Sequence, residues 1–258
     1  MIIRYHKPVL AASLVLAMAL TLSCSSDKDD DKTPGGSPGT GGGESVVYGA
    51  DVPYQNQTYK TVKIGSQTWF QRNLNYAVDG SKCGNGEGLS DANTTACDTY
   101  GRLYNWATAM VLPSKCNGVL STSDVECTIT APNHRGICPP NWHIPSDADW
   151  EALMTAVGDS STAGKYLKAT NGWNSHKGES GNGEDKYGFF ALPGGIGISY
   201  GSISYGTFVD VGRYGGWWCT LESSADNAYY RDMGYKGQNV GRRNSSKDDL
   251  QSIRCVQD

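Results

Sequence analysis

Basic runs are missing from this 258-residue sequence, and its acidic residues outnumber its lysines and arginines, for a formal charge of −4. A nucleic-acid partner needs a clustered cationic face against its phosphates, so the composition argues against one. Metal-ligand spacings are missing as well: no His/Cys/carboxylate cluster has the separations of a zinc site. Repeats of long period are absent, which leaves solenoid and propeller arrays without support. Apolar residues are modest in number, and the longest apolar run, Val9–Leu22, is too short to span a bilayer comfortably.

What the chain has instead is glycine, tyrosine and cysteine. Thirty-three glycines and 15 tyrosines suit a loop-rich, β-containing exported fold better than a helical bundle. Arg4 and Lys7 precede the apolar run, and Thr21-Leu-Ser-Cys24 follows it. This resembles a bacterial lipoprotein signal in which Cys24 becomes the lipidated first residue, although Thr21 stands where an apolar residue is usual. Residues 1–23 are therefore read as the signal and 24–51 as a tether. The core of that tether, residues 27–44, lacks apolar side chains and is rich in Gly, Pro, Ser and Asp. At roughly 5–6 Å × √n its reach is about 25 Å, enough to hold a domain off a membrane. The acidic residues that follow Cys24 resemble surface-export signals of some Gram-negative bacteria. A lipid-anchored outer-membrane protein exposed at the cell surface is the resulting expectation, with residues 52–258 as one folded domain.

Export places the eight cysteines in an oxidising compartment. With Cys24 lipidated, seven remain, so at least one is unpaired. Sequence alone does not fix the pairing. Local spacing favours Cys83–Cys97 and Cys116–Cys127, each closing a polar loop with little core of its own, where a ring of ~15 residues gains about 3 kcal/mol.

A hairpin is expected at 58–64 and 67–72, turning at Gly65-Ser66. Residues 79–95 read as loop. Leu103, Trp106, Ala107 and Met110 have helical spacing, so a short helix is expected over 100–110. The clearest helix begins at Ser146: Pro145 keeps the approach extended, Ser146 caps, and Asp147 and Asp149 favour the dipole. Trp150, Leu153, Met154 and Val157 form its apolar stripe, and Gly158 can end it. A weaker helix is expected over 162–169. Strand patterns follow at 189–192, 215–221, 228–233 and 252–256. The class is α+β with a mainly antiparallel sheet.

Seven segments, taken in order, resemble the Fibrobacter succinogenes major paralogous domain: QTYKTVKIGSQTWFQRNLNY (57–76), YGRLYNWATAM (100–110), RGICPPNWHIPSDADWEAL (135–153), DKYGFFALPGG (185–195), GRYGGWWCTLE (212–222), AYYRDMG (228–234) and SIRCVQD (252–258). The resemblance spans nearly all of the chain after the tether. It implies a C-type lectin-like fold, with two helices flanking a twisted antiparallel sheet, paired terminal strands and long loops. It also implies a bond from Cys138, before the helix, to Cys255 in the last strand. Cys219 is then left over, at a position where the family usually has no cysteine.

Three kinds of chemistry compete. Nucleophilic catalysis by Cys219, as in an oxidase of the formylglycine-generating type, would need a base; His134, His143 and His176 stand at no recognised spacing from it, and that family's active-site motifs are not matched. A small buried thiol is the plainer reading. Calcium is common in lectin-like domains, but neither their Glu-Pro-Asn or Gln-Pro-Asp triplet nor their Trp-Asn-Asp triplet occurs. Asn182–Asp185 offers oxygens for a structural ion, though an acidic Gly turn is the commoner meaning of such a segment. Binding is the remaining function. Trp217/Trp218 and Tyr229/Tyr230 must point to opposite faces of their strands, so one of each pair is expected in the core and the other exposed. The glycine-rich stretch 194–216 is expected to present tyrosines at the surface. The ligand-contact candidates are Tyr200, Tyr205, Tyr214, Trp218 and Tyr230, with polysaccharide, a cell-wall component or another surface protein as partner. A purely structural envelope role is the bland alternative.

Overall fold

The computed structural model describes residues 45–84, 94–120, 123–199 and 205–258. In chain order the strands are β1 (Val47–Tyr48), β2 (Val52–Tyr54), β3 (Gln57–Tyr59), β4 (Thr61–Ile64), β5 (Gln67–Phe70), β6 (Leu103–Tyr104), β7 (Trp142–His143) and β8 (Ile196–Ser199). They continue with β9 (Tyr205–Val209), β10 (Tyr214–Glu222), β11 (Asn227–Gly234), β12 (Gly241–Ser246), β13 (Gln251–Ser252) and β14 (Val256–Gln257). The α-helices are α1 (Thr94–Tyr100), α2 (Trp106–Met110), α3 (Asp147–Val157) and α4 (Ala163–Leu167). One five-stranded sheet has the order β1-β4-β5-β14-β7, and a second β12-β11-β10-β13-β6. These strands pair antiparallel throughout, except that β10 runs parallel to β13. Few helices on a mainly antiparallel framework make the class α+β.

The hairpin expected at 58–72 is β4–β5, with Ile64 opposite Gln67 across a turn that needs Gly65 at φ 59°. Helix α3 forms as its sequence dictates. The Ser146 hydroxyl accepts from Asp149 N, the Asp149 carboxylate accepts from Ser146 N at 2.8 Å, and Trp150, Leu153, Met154 and Val157 are buried.

Other expectations give way. The helix over 100–110 is replaced by strand β6 followed by α2, with Asn105 as the cap of α2 through its bond from Thr108 N. Gly101 at φ 77° ends α1, and Leu103 and Tyr104 add an edge to β13 instead. Their burial fits either a helix or a strand, so periodicity did not separate the two. Helix α1 itself starts inside the expected loop. Residues 189–192 form no strand, because Gly188 and Phe190 both take positive φ. The stretch 194–216 holds the β8–β9 hairpin rather than only loop. Val47–Tyr48, inside the 24–51 span read as tether, pairs with β4, so the fold includes strand ahead of Val52.

The second sheet is covered on both faces. Trp217 joins a core with Trp69, Trp150, Trp173 and Phe189, while Trp218, its neighbour, joins a separate core with Trp106, Trp142 and Tyr104. Disulfides Cys83–Cys97, Cys116–Cys127 and Cys138–Cys255 are formed, and Cys219 is free and buried.

Three buried cations hold irregular segments by their backbone carbonyls. Arg254 donates to the carbonyls of Phe70, Gln71 and Phe189 and to Asn73 Oδ1. Lys247 Nζ donates to Cys116 O, Val119 O and Glu222 Oε1. Lys168 Nζ donates to Gly181 O at 2.7 Å, Gly237 O at 2.9 Å and Gly234 O at 3.2 Å. Each gives loop backbone the partners it would otherwise take from water.

Candidate functional site

An open concavity on the second sheet lies where β10 begins and β11 ends. Asp210 at φ 63° and Gly212 at φ 79° turn the chain from β9 into β10. The β10–β11 register sets Tyr214 opposite Gly234, and Tyr235 N donates to Arg213 O at 2.9 Å. The β11–β12 register sets Asp232 opposite Gly241 and brings Arg243 Nε within 3.1 Å of Asp232 Oδ2. The resulting cleft of about 530 Å³ is lined by Asp210, Arg213, Tyr214, Asp232, Tyr235 and Arg243, with the segment 236–239 as its rim. That volume lies within the range of small-ligand sites.

Its wall is polar chemistry on a rigid base. Asp232 is buried, and its Oδ1 has no hydrogen-bond partner among the described residues. The Asp232 carboxylate raises the Arg243 pKa, keeping that guanidinium charged. Tyr214 and Tyr230 join hydroxyl to hydroxyl at 3.1 Å, and burial raises both phenols, so both stay protonated at neutral pH. Beneath the rim, the three carbonyls bound by Lys168 include Gly234 and Gly237, and the ammonium sits 5.0 Å from the Trp173 ring. Burial lowers the Lys168 pKa to about 8. A smaller hollow of about 110 Å³ lies alongside, lined by Lys165, His176, Glu179 and Asn182, and it shares Tyr235, Lys236 and Gly237 with the cleft.

The sequence candidates divide. Tyr214 lines the cleft. Tyr230 is buried behind it and reaches it only through the Tyr214 hydroxyl. Trp218 is a correction: it is fully buried, and its Nε1 donates to Tyr104 O at 2.8 Å. The expectation that one of Trp217 and Trp218 is exposed assumed a solvated sheet face, whereas β10 has a core on each side. Cys24, Tyr200 and the Tyr205 side chain lie outside the described residues.

Sequence reasoning missed Tyr235, Lys236, Arg213 and Arg243. The signal was present at Gly234-Tyr-Lys-Gly-Gln-Asn239, a turn-rich segment carrying a ring and a cation between two strands. His143, read from sequence as having no partner, bonds two carboxylates: Nδ1 to Asp258 at 2.7 Å and Nε2 to Asp149 at 3.3 Å. Burial raises the Cys219 thiol pKa, which leaves little thiolate at neutral pH.

Among the described residues, no group of three or more His, Cys, Asp or Glu could hold a metal ion. The oxygens of 182–185 considered for calcium serve protein donors. Asn182 accepts from Trp173 N, Glu184 pairs with Lys165 at 3.0 Å, and Asp185 accepts from Phe190 N at 2.7 Å.

A family model described as the Fibrobacter succinogenes major domain matches residues 62–257. No curated protein and no solved structure matches the chain.

Proposed function

The chain belongs to the Fibrobacter succinogenes major domain family, and from that premise we propose that it is a lipid-anchored surface protein whose domain binds polysaccharide without catalysis. The cleft beside Tyr214 and Tyr235 carries the reading. It combines two tyrosines with the guanidinium, carboxylate and backbone groups that hydroxyl-rich ligands need. Aromatic rings offer apolar contact to sugar C–H faces while their hydroxyls keep a polar partner. A few placed polar groups then fix orientation.

A C-type lectin-like fold is part of the same proposal. Supporting it, β14 near the C-terminus pairs with β5 near the start of the domain, and a long irregular stretch separates α4 from β8. Anchoring through Cys24 rests on the signal-like segment before it and the polar tether after it. Intact protein should carry a diacyl or triacyl mass increment that Cys24→Ala lacks.

The binding reading is tested by retention of the full-length protein on insoluble cellulose, hemicellulose and cell-wall fractions. At least one should retain it, and Tyr235→Ala should weaken that retention by about tenfold or more, the loss of roughly 1.4 kcal/mol. Retention on none of them would sink the glycan reading.

A further inference from the structure

The cleft and the hollow beside it share the rim Tyr235–Gly237, which lines both. We propose that together they form one groove for an extended, carboxylate-bearing polysaccharide, with one sugar unit in the cleft and the next across the rim. The proposal rests on the cleft being a glycan site and adds the ligand's charge and length.

Charge is the first argument. The chain carries a formal −4, and this groove gathers Arg213, Arg243, Lys236 and Lys165 against Asp210, Asp232 and Glu179, with Lys165 itself paired to Glu184 at 3.0 Å. The carboxylates do not neutralise it evenly. Asp232 is held by Arg243, while Arg213 has only a 4.0 Å contact to Asp210 between two exposed side chains. An exposed pair of that kind contributes little and is readily exchanged for another anion. Lys236 is exposed on the rim and forms no ion pair among the described residues; its ammonium lies 5.3 Å from the Tyr235 ring. A free cation beside an aromatic ring, at the junction of two cavities, suits a carboxylate attached to a sugar ring.

Shape is the second. At about 110 Å³ the hollow is smaller than a separate ligand site, so it makes sense as a continuation of the cleft. His176 stands edge-on to Tyr235, ring centres 5.6 Å apart, so the hollow has an aromatic wall of its own. Lys168 fixes the rim from below through the carbonyls of Gly234 and Gly237. A rim held in place before binding loses less freedom when a chain is laid across it.

The test is calorimetric binding of the full-length protein to hexamers of galacturonate and of mannuronate, to the corresponding monosaccharides, and to uncharged xylohexaose. An acidic hexamer should bind more tightly than xylohexaose and weaken by about tenfold or more between ~50 and ~500 mM NaCl, as screening shortens. Lys236→Glu should weaken it by at least about tenfold, while Lys236→Arg should retain most of the affinity. His176→Ala should remove most of the hexamer's advantage over the monosaccharide. Equal binding of acidic and neutral hexamers, indifferent to salt and to Lys236→Glu, overturns the charge while the glycan cleft stands. Equal affinity for hexamer and monosaccharide overturns the extended groove. Binding of none of these, together with no retention on the neutral polymers above, overturns the glycan reading itself.

Discussion

At Lys168, burial and carbonyl bonding act in opposite directions. Burial disfavours the charge and brings the pKa to about 8, while three carbonyls accept from the ammonium. In the unfolded chain the lysine titrates near its ordinary 10.5. The folded state therefore gives up this proton first, the burial cost is complete below about pH 8, and it is relieved as pH rises from there. Denaturant midpoints should rise between pH 8 and about 9.5, and Lys168→Met should flatten that rise while lowering stability at pH 7 by about 2 kcal/mol. Cys219 makes a simpler case. Its thiol is buried and its pKa is raised, so iodoacetamide should leave it unmodified in the native protein and modify it in denaturant. Rapid native alkylation, read by peptide mass, would contradict its placement in the core.

Helix α3 shows what an element owes to its first turn. Asp149 accepts from Ser146 N, Ser146 Oγ, Gln67 Nε2 and His143 Nε2, which joins the helix start to β5 and β7. Burial alone would raise its pKa, but the bonds from His143 and Ser146 outweigh burial and hold it at about 2. Its contribution is present above the ordinary carboxylate range and is lost as pH falls toward 2. For His143, burial would lower the pKa, but bonds to Asp149 and Asp258 outweigh it and raise the value. That contribution is full below about pH 6.5 and is lost as pH rises through the folded value. Asp149→Ala should cost about 2 kcal/mol at pH 7, and His143→Gln should remove the part of the stability loss that wild type shows as pH rises above about 6.5. Chemical denaturation across that range checks both.

The same helix marks what the sequence made legible. Its cap, acidic first turn and apolar stripe are local and could be read directly, as could the β4–β5 turn at Gly65. The clasp around His143 was not local: Asp258 lies 115 residues away, and only the β7–β14 pairing brings the two together. Strand β6 was misread because Leu103 and Tyr104 are buried by β13, a partner nearly 150 positions along the chain. Tyr214 could be singled out among the glycines, but Asp232 and Arg243 meet only through the β11–β12 register. Trp218 failed as a surface candidate because alternation along a strand fixes opposite faces without saying whether both are covered.

Over the whole domain, cores on both faces of the second sheet, carbonyl-bound cations and disulfides together hold long irregular segments. Cys138–Cys255 joins the segment leading to α3 with the junction of β13 and β14, 117 residues apart in sequence. Chain-entropy arguments give such a closure up to about 5 kcal/mol, against about 3 for the short ring at Cys116–Cys127. Paired replacement of Cys138 and Cys255 by Ala should therefore lower the thermal midpoint more than the same change at Cys116 and Cys127; the reverse order would place the stability elsewhere. On this frame the proposed glycan site lies where β10 begins and β11 ends. Hydrogen–deuterium exchange of the full-length protein, with and without a polysaccharide that retains it, tests this most directly. Protection should concentrate at 213–214 and 234–239, with 176–182 added for an acidic chain; unchanged exchange there, or protection only at 57–60 and 71–75 around the opening lined by Thr58 and Arg72, would contradict the account.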